Sequence, residues 1–125
     1  MPKTVLLVDD SASFRTVIGL SLRRAGYGFI EAPDGQDGLE KIQAATPEAP
    51  IHAIVCDLNM PRLDGFGFVQ ALRAMPGHRF TPVLMLTTEG DPAKKAQGKA
   101  MGVTAWLTKP FQPSNLVHAM KSICP

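Results

Sequence analysis

The chain predicts an α/β fold, a doubly wound five-stranded parallel sheet with helices on both faces. Three observations carry that reading. Short apolar runs alternate with segments of helical periodicity along the whole chain. Four of the runs, Val5-Leu6-Leu7-Val8, Ala53-Ile54-Val55-Cys56, Val83-Leu84-Met85-Leu86 and Trp106-Leu107-Thr108, carry almost no polar break, as strands buried on both faces read. Each is followed by a polar residue: Asp9-Asp10, Asp57, Thr87 and Lys109. Open parallel sheets bind ligands outside the carboxyl ends of their strands, so these side chains are expected around one crevice.

The elements follow in order. Residues 4–8 form the first strand. Residues 13–25 form a helix with Phe14, Val17, Ile18, Ser21, Leu22 and Ala25 on one face at 3.6 spacing. Ser11 or Ser13 caps it and Gly26 ends it. Residues 29–32 form a second strand, placed at an edge because Pro33 stops it. Residues 35–44 form a helix with a thin apolar face, Leu39 and Ile42. A proline-bounded loop, 46–50, leads to the third strand, 52–57. A turn-rich loop, 59–65, leads to a helix over 65–74 carrying Phe66, Val69 and Leu72. Residues 82–87 form the fourth strand. Pro92 fits the first turn of the next helix, 93–101, whose inner face reads as Ala93, Ala96, Ala100 and Met101. Gly98 costs that helix about 1 kcal/mol against alanine, so it is weakly anchored. Residues 105–108 form the fifth strand, and 112–123 a last helix with Leu116, Val117, Met120 and Ile123 inward. Strand–helix alternation of this kind implies right-handed crossovers.

Size and composition narrow the classes. A chain of 125 residues with 45% hydrophobic and 19% charged residues fits one globular domain. A net charge of +2 is too small to imply nucleic-acid or membrane attraction. No stretch approaches the roughly 20 apolar residues of a spanning helix, so a cytoplasmic protein without membrane insertion is expected. Cys56 and Cys124 read as free thiols. His52, His78 and His118 lack metal-type spacing and read as surface or loop residues. Lys94, Lys95 and Lys99 share one helix, either as a solvated face or as a docking face for an acidic partner.

The crevice residues carry the chemistry. Two carboxylates about 4 Å apart repel by roughly 4 kcal/mol at an effective dielectric near 20. Asp9, Asp10 and Asp57 together would hold a proton or recruit a cation, and Mg2+ suits an all-oxygen donor set. One aspartate of the Asp9-Asp10 pair can serve as a helix cap; a third carboxylate and Lys109 opposite argue against capping alone. Mg2+ and Lys109 would offset the charge of an incoming phosphoryl group, about −1.5 to −2. A carboxylate can act as the nucleophile and become an aspartyl phosphate. Asp57, alone at its strand end, is the best choice. Thr87 can donate its hydroxyl to a phosphoryl oxygen.

Four motifs stand in order: Val8-Asp9-Asp10-Ser11; Asp57-Leu58-Asn59-Met60-Pro61 with Asp64-Gly65; Leu86-Thr87-Thr88-Glu89; and Lys109-Pro110-Phe111. Together they resemble the receiver domains of two-component response regulators over essentially the whole length. The resemblance implies a strand order of 2-1-3-4-5 and a single receiver domain over 1–125 with no output domain. It implies Asp57 as phosphoacceptor, Asp10 as a direct Mg2+ ligand, Asp9 as a ligand through water, and the Asn59 main-chain carbonyl as part of the metal shell. Lys109 would bind a phosphoryl oxygen, with a cis bond to Pro110. Asn59 and Glu89 match positions that tune dephosphorylation. Thr87 and Trp106 match the switch pair, although tyrosine, phenylalanine or histidine is usual at the latter. The implied partners are a histidine kinase, of the chemotaxis type, and a protein target on the face of the fourth helix, fifth strand and fifth helix. Such a domain signals rather than acting as an enzyme on other substrates. A phosphorelay intermediate or phosphate sink would have the same crevice.

Two other classes fit less well. A haloacid-dehalogenase-type phosphatase needs a second aspartate two residues after the nucleophile on the first strand; Asp9 is followed there by Ser11. A nucleotide-binding domain needs a glycine-rich loop after that strand, and none is present.

Overall fold

The structure, a computed structural model, describes residues 2–60, 62–88 and 91–125. The elements alternate strictly: β1 Thr4–Val8, α1 Ala12–Arg24, β2 Gly28–Ala32, α2 Gly35–Ala44, β3 Ala53–Asp57, α3 Gly65–Arg73, β4 Val83–Thr87, α4 Pro92–Ala100, β5 Ala105–Thr108 and α5 Pro113–Ile123. All four pairings between these strands are parallel, and the sheet order is β2-β1-β3-β4-β5. The expected fold, strand order and edge position of β2 are all observed.

The three inner strands are buried along nearly their whole length, which is why their sequences do not alternate. Side chains leave each strand to opposite faces, and two cores result. One gathers Leu6, Val8, Ile54 and Met85 with Phe66, Phe68, Val69 and Leu72 of α3 and Ile42 of α2. The other gathers Val5, Leu7, Val55 and Leu86 with Ile18 and Leu22 of α1 and Leu116 and Met120 of α5. Ser11 caps α1 through the Phe14 amide, so neither Asp9 nor Asp10 is that cap. Asp34, Asp64 and Asp91 cap α2, α3 and α4. Gly26 follows α1 at φ 97°, a conformation that glycine adopts without steric cost.

Two expected helix faces are corrected. Val17 is 52% exposed, while Gly19 takes the inner position on α1. The cause is Phe29 of β2: a Cβ at residue 19 would fall 2.4 Å from its ring, so α1 turns glycine rather than valine towards the sheet. On α4, Ala93, Ala96 and Ala100 are exposed and Gly98 is the buried residue. The helix rolls to admit an indole, that of Trp106, which a Cβ at residue 98 would meet at 2.8 Å. Among the described residues, no helix is long and apolar enough to cross a membrane.

The three histidines lie outside the strands. His52 Nδ1 accepts from the Thr4 amide at 3.0 Å, His78 Nδ1 lies 2.9 Å from the Thr81 hydroxyl, and His118 is exposed on α5. Both cysteines are free and buried.

Candidate functional site

Strand register brings the polar residues to one edge. Val8 pairs with Ala32 and Cys56, Asp57 with Leu86, and Thr87 with Thr108. The chain therefore leaves β1, β3, β4 and β5 at one level, and Asp9, Asp57, Thr87 and Lys109 converge there. Carboxylate oxygens of Asp9, Asp10 and Asp57 all lie within 4.8 Å of one another. Asp9 and Asp57 are buried and Asp10 is exposed. The Lys109 ammonium sits between the two buried carboxylates, 3.4 Å from Asp9 Oδ2 and 3.4 Å from Asp57 Oδ2.

Each side chain is fixed locally. Asp9 Oδ1 accepts from the Ser11 amide at 2.8 Å, and the Arg15 guanidinium donates to the Asp9 main-chain carbonyl. Asp57 Oδ1 accepts a long bond, 3.4 Å, from the Asn59 amide. The Lys109 amide donates to the Thr87 carbonyl at 2.6 Å, and the bond to Pro110 is cis. The Lys109 ammonium also stands 4.3 Å from the centre of the Phe14 ring, within cation–π range. Phe14 meets Phe111 edge-on at 6.0 Å. Phe14 and Arg15 therefore aim the lysine and the aspartate. Helical spacing assigned Phe14 only to the core, because a fixed lysine on another element leaves no mark in the local pattern.

Burial, the largest cause, pushes the Asp57 carboxyl above its usual range; the Lys109 ammonium opposes this and Asp9 adds to it. Three carboxylates against one ammonium make a hard, oxygen-rich pocket that fits Mg2+. Asp10, Asp57 and Asp9 are the side chains that could hold such an ion.

Thr87 is fully buried. Trp106 packs against Phe66, with ring centroids 6.1 Å apart, and against Gly98. Its Nε1 is buried without a hydrogen-bond partner. Glu89 lies outside the described residues.

Residues 5–121 match the response regulator receiver domain family. The chain belongs to that family. Among curated relatives, this receiver is 35% identical over 123 residues to the alkaline phosphatase synthesis transcriptional regulatory protein PhoP of Bacillus subtilis. The match covers 98% of the chain and 49% of PhoP, so the chain spans about half the length of that relative. Among solved structures, the receiver superposes on the chemotaxis response regulator CheY4 of Vibrio cholerae with TM-score 0.90 and 44% identity, covering 98% of this chain and 99% of CheY4. The receiver domain of sensor histidine kinase PA1611 from Pseudomonas aeruginosa, solved with a magnesium ion coordinated in its active site cleft, matches with TM-score 0.85 and 26% identity over 98% of both chains.

Proposed function

We propose that this receiver accepts a phosphoryl group from a histidine kinase onto Asp57 and signals by docking to a protein target. The observation that carries the reading is the Asp9–Lys109–Asp57 arrangement at the strand ends, with Asp10 beside it. An Asp57 carboxylate oxygen forms a bond to phosphorus as the phosphorus–nitrogen bond of a phosphohistidine breaks; the bonding pair stays on the imidazole nitrogen, and the leaving imidazole is neutralised by a proton from solvent. Lys109, already at 3.4 Å from that carboxylate, offsets the charge delivered with the phosphoryl group. Thr87, at the next strand end, supplies a hydroxyl to a phosphoryl oxygen. Asp10, Asp57 and the Asn59 carbonyl, with Asp9 through water, would hold Mg2+, which would supply electrostatic stabilisation of the same oxygens.

Chemotaxis is the proposed setting, supported by the likeness to CheY4 over nearly its full length. The proposed target face is α4, β5 and α5, where Lys95 and Lys99 flank a groove beside Trp106. Thr87 and Trp106 are the proposed switch residues, and Asn59 and Glu89 the residues that set the phosphoryl lifetime.

Phosphotransfer from purified chemotaxis kinases and from acetyl phosphate tests the reading. Label is expected on Asp57, and none on Asp57→Asn. Asp10→Ala is expected to lower labelling by more than about tenfold at fixed Mg2+. A folded, Mg2+-loaded protein that no donor labels would overturn the proposal.

A further inference from the structure

The segment joining β3 to α3 carries Asn59, and its main chain must be held still if the Asn59 carbonyl is to complete a cation site. Its ends are secured: the Leu58 amide donates to the Leu86 carbonyl and the Gly65 amide to the Leu58 carbonyl, both at 2.8 Å. Between those ends, two adjacent contacts tie the segment to the corner between β2 and α2. Arg62 donates from Nη2 to Asp34 Oδ2 at 2.8 Å. A Cβ at Gly35 would meet the Leu63 carbonyl oxygen at 2.9 Å, so only glycine permits this approach.

The backbone at Arg62 shows that the tie is specific. Its φ is 68°, and it is the only non-glycine residue with positive φ among those described. That conformation is disfavoured for a side chain of this kind, and neighbouring contacts must maintain it. Asp34 is well placed to do so. Its Oδ1 caps α2 through the Asp37 amide at 2.9 Å while Oδ2 holds the arginine. The Asp34 side chain is 14% exposed and is anchored by the helix; that of Arg62 is 64% exposed and depends on the aspartate.

We infer that Asp34 and Arg62 are positioning residues: a latch between the β2–α2 corner and the β3–α3 segment that fixes Asn59 for the cation. The inference rests on the Mg2+ reading above. Asp34 is not part of the Asp9, Asp10 and Asp57 carboxylate cluster, and its Oδ2 is taken up by Arg62, so the pair would act through the main chain it holds.

Arg62→Gln removes the charge and keeps a side chain with the same backbone preference. Asp34→Asn loses the charge and keeps a good cap. Mg2+ affinity is measured by calorimetry on the wild type, both single variants and the double variant, with amide exchange of Asn59, Met60 and Leu63 followed in parallel. Each single change is expected to weaken Mg2+ binding by about three- to fivefold, the upper end for an exposed ion pair. The double variant is expected to be no weaker than either single, and exchange to accelerate at Asn59 and Met60. Single variants that bind Mg2+ as the wild type does, even with lowered melting temperatures, would overturn the latch alone. Additive losses in the double variant would also overturn it. A wild type that takes up no Mg2+ overturns the site reading and the latch with it.

Discussion

Gly98 of α4 and Trp106 of β5 share one space: a Cβ on the helix would fall 2.8 Å from Cζ3 of the indole and 3.4 Å from Cε1 of Phe66. The unusual tryptophan at this position is accommodated by a missing side chain opposite it. The indole gives no hydrogen bond in return, because its Nε1 is buried and unpaired. Turning outward would give that donor a partner in water, worth about 1–3 kcal/mol of relieved desolvation. Shape, rather than a polar contact, therefore keeps the ring inside.

Gly98→Ala tests this balance. The new methyl favours the helix by about 1 kcal/mol, but overpacking a filled site costs about 1–3 kcal/mol. The net effect is expected to be neutral to mildly destabilising, with Trp106 emission shifted to the red as the ring moves towards water. In a Trp106→Ala background the clash is gone, and the same substitution is expected to stabilise by up to about 1 kcal/mol. A double-mutant cycle in urea measures the sign change. Equal effects in both backgrounds would show that the two residues do not compete.

The same pair marks where sequence reading stopped. Strands were legible because each inner one is a short apolar run closed by a polar residue, and the crevice was legible because parallel register makes those closing residues neighbours. Helix orientation was legible where large side chains fix it, as with Phe66, Val69 and Leu72 on α3. It was legible only in part on α1, where Ile18 and Leu22 face inward as expected but Gly19 rather than Val17 is buried with them, and not on α4, where the buried residue is Gly98. A glycine faces a neighbour only because of what that neighbour is, Phe29 in one case and Trp106 in the other, and periodicity carries no information about the neighbour. Asp34–Arg62 was hidden for the same reason: 28 residues separate the partners, and neither stands in a periodic pattern.

Arg73 anchors the C-terminal end of α4. Its guanidinium donates to four main-chain carbonyls: Met101 at 3.2 Å, Gly102 at 2.8 Å, His78 at 3.0 Å and Thr81 at 2.8 Å. The first two close α4 and the others belong to the turn before β4. Burial alone pulls the guanidinium below its usual pKa, yet it stays charged at any ordinary pH. Arg73→Met is expected to lower stability by about 2–3 kcal/mol, since bonds from a charged donor contribute about 1.5–3 kcal/mol and some of the carbonyls lose a buried partner. Arg73→Lys is expected to recover little, because an ammonium cannot span four acceptors arranged around a planar fork. Urea unfolding gives the loss, and faster amide exchange at Val103 locates it; a Lys variant with wild-type stability would remove the geometric argument.

Asp57 is held against its own charge. Burial raises its carboxyl above the usual range, with Lys109 opposing and Asp9 reinforcing. The folded state therefore binds a proton more readily than the unfolded chain does. Stability then falls as pH rises from the unfolded carboxyl value through the raised folded value, and the full cost is present above it. Asp57→Asn removes that charge at nearly constant volume. In chelator at neutral pH it is expected to stabilise the protein by about 0.5–2 kcal/mol, the common range for a single stabilising substitution. The gain should vanish below the ordinary carboxyl range, where Asp57 is protonated in both folded and unfolded chains. Adding Mg2+ should narrow the gap from the other side, by raising the melting temperature of the wild type more than that of the variant. Melting curves of both proteins between acid and neutral pH, with and without Mg2+, measure all three effects. A variant no more stable than the wild type at neutral pH would mean that Lys109 already neutralises the buried carboxylates, and that the site has no electrostatic need of a cation.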